Sequence, residues 1–308
     1  VYGIVIESGV IYAGTTKAEN CTAIGGGGNG YGQVTINGGT VTAVATTTGT
    51  AIGGGIGFNS AGGEGYVTIT GGNVYAYNHA NKWNIPSSAI GGAGSSASSG
   101  SPGTVMITGG NVYAESSLGT AIGGGSSYSQ SGGEAVVTIT GGNIIAKSGS
   151  KSSAGIGGGT TRVGGDSAEP SYSSKDNPEG NGGQATITIG SVENSGNTST
   201  PILRTGSIGG GGTNKSTGKI GNANITIYGG DIQAQFVMGA SNDNTFNMKG
   251  GTIRNSNTSD DEYYCIQENG GAVYVNLGSF TMEGGTIKKC VASSTDQDAK
   301  GGAIYIEG

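Results

Sequence analysis

Apolar and polar residues alternate in short runs along most of the chain, as in Val34-Thr35-Ile36, Val67-Thr68-Ile69-Thr70 and Val137-Thr138-Ile139. A period of two predicts strands buried on one side only. Each run leads through a Gly-Gly pair into a second apolar run. A connector follows, and then a short Ala-Ile-Gly-Gly-Gly segment, as in Ala51-Ile52-Gly53-Gly54-Gly55. The same order recurs from Val67 to Ala76 with Ala89-Ile90-Gly91-Gly92, from Val105 to Ala114 with Ala121-Ile122-Gly123-Gly124-Gly125, and from Val137 to Ala146 with Ile156-Gly157-Gly158-Gly159. Looser copies run Ile187 to Val192, Ile225 to Ala234, Phe246 to Ile253 and Phe280 to Ile287. The period is roughly 28 to 38 residues, the range of stacked repeat architectures.

Three strands per period, each too short to bury its apolar side alone, become stable when equivalent strands pair between successive coils. The expected fold is an all-β parallel solenoid of about nine three-strand coils, a rod on the order of 40 Å long at ~4.8 Å per coil. Three inward ladders follow from the alternation. The first is Ile36, Ile69, Ile107, Ile139, Ile189, Ile227, Met248 and Met282; the second is Val41, Val74, Val112, Ile144, Val192, Ile232, Ile253 and Ile287. The third is Ile24, Ile52, Ile90, Ile122, Ile156, Ile208 and Met238. The Gly-Gly pairs are read as corners with positive φ, and the Ile-Gly-Gly-Gly runs as places of close backbone approach.

Composition narrows the function classes. With 68 Gly among 308 residues and no three-residue period, the chain is neither collagen nor an ordinary globular domain. A hydrophobic fraction of 33% suits a thin core running the length of a solenoid. Net charge is −6 and the 14 basic residues are dispersed, which argues against nucleic acid as a partner. No run is apolar enough to insert in a membrane, and no leader-like segment opens the sequence. Cys21, Cys265 and Cys290 have no metal-ligand spacing. Cys265 and Cys290, about one coil apart, are either a disulfide or simple thiols.

The last third carries Gly250-Gly251-Thr252-Ile253, Gly270-Gly271-Ala272-Val273-Tyr274, Phe280-Thr281-Met282-Glu283-Gly284-Gly285-Thr286-Ile287 and Gly301-Gly302-Ala303-Ile304-Tyr305. These runs resemble the repeat of right-handed parallel β-helix surface proteins, akin to pectate-lyase-like folds and outer-membrane adhesins and frequent in cell-wall proteins of gut Gram-positive bacteria. The resemblance implies a right-handed β-helix, an extracellular bacterial cell-surface or secreted location, and a role as adhesin or stalk in a longer chain. Residues 1–240 carry the Ala-Ile-Gly-Gly-Gly coils and residues 241–308 the Gly-Gly-Ala-Val/Ile-Tyr coils, as two dialects of one β-helix over 1–308.

Chemistry is sought where the repeat is broken, because inserts at coil corners are where solenoids place working surfaces. One insert runs Tyr77-Asn78-His79-Ala80-Asn81-Lys82-Trp83-Asn84-Ile85-Pro86 and holds the only His and only Trp of the chain. Outward residues Tyr75 and Tyr113 fall one above the other beside it. Aromatic faces pack against sugar rings while Asn and His bond their hydroxyls, so Trp83, His79, Tyr75, Tyr77 and Tyr113 form a candidate platform for glycans of a host or plant surface. The plain alternative is a ladder of strand-forming tyrosines with Trp83 covering a coil edge.

The second insert, residues 160–183, holds Asp166, Glu169, Asp176 and Glu179. A pair such as Glu169 and Asp176 would serve a β-helix glycoside hydrolase or polysaccharide lyase, whereas the acidic Ser-, Gly- and Pro-rich composition reads as a solvated loop. Arg162, Arg204 and Arg254 read as isolated from one another. No organic cofactor is implied. Ca²⁺ is the one metal that oxygen-rich loops would take, at Asp260 with Asp261 or Asp296 with Asp298, and no repeating calcium code is present. Outward rows containing Thr35, Thr68, Thr70, Thr138, Thr140, Thr188 and Thr226 resemble the grids of β-helical ice-binding proteins, but Asn37, Met106, Gly190 and Tyr228 interrupt them.

Overall fold

The computed structural model describes residues 3–15, 21–46, 48–57, 60–80, 85–128, 130–150, 153–161, 180–194, 200–212, 218–255, 270–292 and 300–307. It is a right-handed parallel β-helix. Every strand pairing is parallel and joins equivalent strands of successive coils, so that each of three sheets is nine strands deep among the described residues. In one coil, Gly103–Ile107 lies on the first sheet, Asn111–Ser116 on the second and Ile122–Gly123 on the third.

The first ladder stands as read, from Ile36 paired with Ile69 up to Met248 paired with Met282. All its members but the last are buried; Met282, on the terminal coil, is exposed. An additional coil precedes it, with Ile4–Ile6 pairing onto Gly32–Ile36 and Val10–Thr15 onto Thr40–Ala45. Two ladder assignments are corrected. Val192 lies in a short 3₁₀ turn, Val192–Asn194, and is exposed; Leu203 takes the position, paired with Ile144 and Ile232. In the third ladder Phe236, not Met238, stands in register with Ile208. Met238 is also buried, two residues further on and paired with Val275.

Glycine fixes two features of the rod. At the corners between first and second sheets, Gly39, Gly72, Gly110 and Gly142 hold φ between 83° and 91°, a left-handed conformation that a side chain resists. Beyond the third sheet each coil sends an arm outward and brings it back, and the arms of neighbouring coils interleave. The N–H of Gly125 donates to Ser101 O at 2.9 Å, that of Gly133 to Gly125 O at 2.7 Å, that of Gly159 to Gly133 O at 2.8 Å and that of Gly183 to Gly159 O at 2.8 Å. The staircase extends from Gly30 O to the N–H of Gly239. Two backbone levels per coil leave no room for side chains: a Cβ at Gly125 would lie 1.8 Å from Ala93 O, and one at Gly159 1.8 Å from Gly125 O. This corner of the core is filled by backbone, which explains how a glycine-rich chain packs without large residues there.

Candidate functional site

The outward face of the second sheet brings the candidate residues together. In Asn73–Asn78, Val74 and Ala76 point inward and Tyr75 and Tyr77 outward; Asn111–Ser116 stacks on it with Tyr113 over Tyr75 and Glu115 over Tyr77. The expected Tyr75–Tyr113 register is present. Ring contact, however, runs on the diagonal. The Tyr77 ring lies 5.5 Å from Tyr113 and 5.4 Å from His79, both tilted, and Tyr75 is left as the more open ring, 38% exposed.

Polar groups frame the rings. Tyr113 Oη donates to Glu115 Oε2 at 2.6 Å, and His79 Nε2 lies 3.9 Å from Glu115 Oε1. Lys147, next on that column, holds its Nζ 5.4 Å above the Tyr113 ring. Burial, then the bond to Glu115, pushes the Tyr113 hydroxyl up to about 12, and burial followed by the Glu115 charge raises that of Tyr77. Both phenols therefore stay protonated donors at neutral pH.

The corner after these strands is anchored from inside. Asn78 is fully buried; its Nδ2 donates to the carbonyls of Gly49 and Ser87 at 2.8 and 3.1 Å, and its Oδ1 accepts from the Ala80 N–H at 3.0 Å. Ala80 and Ile85 are buried at either foot of the insert. Trp83, between them, lies outside the described residues, as do Asn81, Lys82 and Asn84.

The same is true of Glu169 and Asp176 with the rest of 162–179, of Asp260, Asp261, Asp296 and Asp298, and of Cys265. Among the described residues no three His, Cys, Asp or Glu side chains converge as metal ligands. Cys290 is a thiol whose Sγ–H donates to Lys288 O at 3.2 Å and whose acidity is weakened by burial. A shallow recess of about 70 Å³ on the first sheet, between Glu134, Gln184, Asn222 and Asn224, is far smaller than a ligand site.

One constellation was missed in the sequence. Arg204 and Arg254 are not isolated: both converge on Asp231, with Arg204 Nη2 2.9 Å from Oδ2 and Arg254 Nε and Nη2 each 3.0 Å from Oδ1 and Oδ2. Fifty residues separate the arginines, but they lie two coils apart with the buried Gln233 between them. The Arg254 bonds first, and then those of Arg204, outweigh desolvation and hold the Asp231 carboxyl below its ordinary range. A depressed folded-state value stabilises the fold above the unfolded carboxylate's titration near pH ~4 and loses that contribution as pH falls through the folded value. Asp231→Asn is accordingly expected to lower stability by about 1 kcal/mol at pH 7 in urea unfolding, the modest size reflecting partial exposure. The difference should shrink as both proteins are acidified below the unfolded carboxylate's titration.

No protein-family model, curated protein or solved structure matches this chain.

Proposed function

We propose that this β-helix is an adhesin or stalk segment of an extracellular bacterial surface protein and that the second sheet's outward face holds glycans. Tyr75, Tyr77, Tyr113, His79 and Trp83 would make the contacts. The observation that carries the reading is the grouping of Tyr77, Tyr113 and His79 within 5.5 Å on a rigid sheet, beside the more open Tyr75 and the polar groups of Glu115 and Lys147. Rings supply flat apolar area at low entropic cost, and the polar surround supplies partners for hydroxyls. The repeat-level resemblance to β-helix surface proteins supports the location, and near-identical coils suit a stalk, which needs no single distinctive constellation.

A glycan array tests the binding half. Retention by the wild-type chain should fall about tenfold or more in the Tyr75→Ala, Tyr77→Ala double variant, as expected for removal of aromatic anchors. Tyr31→Ala, at an exposed ring elsewhere on the rod, should change nothing. Equal retention by wild type and the double variant removes the platform from consideration.

A further inference from the structure

The platform is one end of a longer feature. A single outward column on the second sheet, fixed by strand register, reads Tyr12, Thr42, Tyr75, Tyr113, Ile145, Arg204, Gln233, Arg254 and Lys288. Eight coil steps at ~4.8 Å make it about 38 Å long. Its first half is aromatic and its second half cationic. Beside the aromatic half stand the turn amides Asn73, Asn111 and Asn143, with Asn111 Nδ2 donating to Asn73 Oδ1 at 2.9 Å.

We infer that the ligand is an anionic polysaccharide lying along the rod axis, its sugar faces on Tyr12, Tyr75 and Tyr113 and its carboxylates toward Arg204, Arg254 and Lys288. This rests on the glycan-binding reading above and assigns its ligand class. Charge complementarity is the first ground. Among the described outward residues of this face, Lys147, Arg204, Arg254 and Lys288 oppose only Glu115 and Asp231, on a chain whose net charge is −6. Preorganisation is the second. Asp231 fixes both guanidinium groups in place, so less side-chain entropy is lost when an anion arrives. Spacing is the third. A single-stranded nucleic acid carries a charge on every unit and is held by a continuous basic groove. Here the guanidiniums are two coils apart and the aromatic half has Lys147 alone, a sparse pattern suited to a polymer charged on some of its sugars.

Affinity electrophoresis of the whole chain tests this with hyaluronan, whose carboxylates stand on alternate sugars, the same polymer after reduction of its carboxyls to alcohols, and oligo-dT as probes. Lys147→Glu with Lys288→Glu reverses two charges while leaving both ion pairs of Asp231 in place, with circular dichroism as the check; Arg204→Gln with Arg254→Gln is the stronger variant. Wild type should be retarded by hyaluronan, more weakly as salt rises, and the Lys147→Glu, Lys288→Glu variant should bind it about tenfold less tightly. Equal retardation by native and reduced polymer overturns the anionic assignment and leaves the glycan reading standing. No retardation by either polymer, together with a blank glycan array, overturns both. Stronger retardation by oligo-dT than by hyaluronan overturns the assignment in favour of nucleic acid.

Discussion

Gly123→Ala is expected to destabilise the rod by more than roughly 4 kcal/mol, beginning with the coils on either side of it. Gly123 sits on the third sheet with φ +137°, and an added Cβ would lie 2.1 Å from the carbonyl oxygen of Gly157 in the next coil. Two costs combine. The backbone conformation is one that side chains rarely adopt, at about 1–3 kcal/mol. The overlap is with backbone, which has no rotamer by which to retreat; moving the Gly157 carbonyl breaks its bond from the Gly124 N–H at 3.0 Å. The next glycines of the column repeat the arrangement, with Gly53 facing Gly91 O and Gly91 facing Gly123 O at 2.1 Å each, so strain at one level has no looser neighbour to absorb it. The total exceeds roughly 4 kcal/mol, in the rare upper tail of single substitutions. Gly28→Ala is the matched control: nothing lies within 4 Å of its added Cβ, and it should cost at most ~1 kcal/mol. Urea unfolding followed by circular dichroism compares them, and a Gly123→Ala midpoint near that of wild type would contradict the tight backbone stacking along the third sheet and into the corner beyond it.

That corner also shows how far the sequence could be read. Periodicity placed Ile36, Ile69, Ile107 and Ile139 in one ladder because each occupies the same step between a strand start and a Gly-Gly corner, and register requires nothing else. Close backbone approach was legible in the Gly-Gly-Gly runs, but not the interleaving, because the Gly62-Gly63, Gly132-Gly133 and Gly182-Gly183 pairs of the returning arms read as ordinary turns and lapse at Gly100-Ser101. Val192 misled because it follows Gly190 at nearly the spacing of the other second-sheet strands, while the strand itself is delayed to Ile202. Met238 misled because the coil at Phe236 lacks the triple glycine that marks the third sheet elsewhere. At the candidate site, Tyr75 over Tyr113 was a register statement and could be read. The contact of Tyr77 with Tyr113 depends on side-chain rotamers, and the meeting of Arg204 with Arg254 depends on an acid from the coil between them. Neither leaves a local signature.

Phe246→Ala is expected to loosen the C-terminal coils while leaving the N-terminal ones intact. The first sheet's second inward column runs Val34, Val67, Val105, Val137, Ile187 and Ile225, and then changes to Phe246 and Phe280. The change falls where the glycine staircase stops, at Gly239. Past that level the interleaved backbone no longer fills its corner of the core, and rings take up volume instead: Phe246 is fully buried, stacked 5.2 Å from Phe280 and edge-on 5.0 Å from Phe236. Truncating it removes both ring contacts and leaves a cavity, at a cost of roughly 3–5 kcal/mol. In a solenoid each coil contacts only its neighbours, so the loss is felt locally before it is felt globally. Hydrogen exchange should show faster amide turnover across Asp231–Met248 and Val273–Met282 and unchanged protection across Gly65–Ile69, Gly103–Ile107 and Ala135–Ile139. Uniform acceleration along the whole rod would mean that the two halves unfold as one cooperative unit and that the seam at Phe246 carries no mechanical distinction. A selective loss would mean that the ring stack closes the core where the glycine staircase ends.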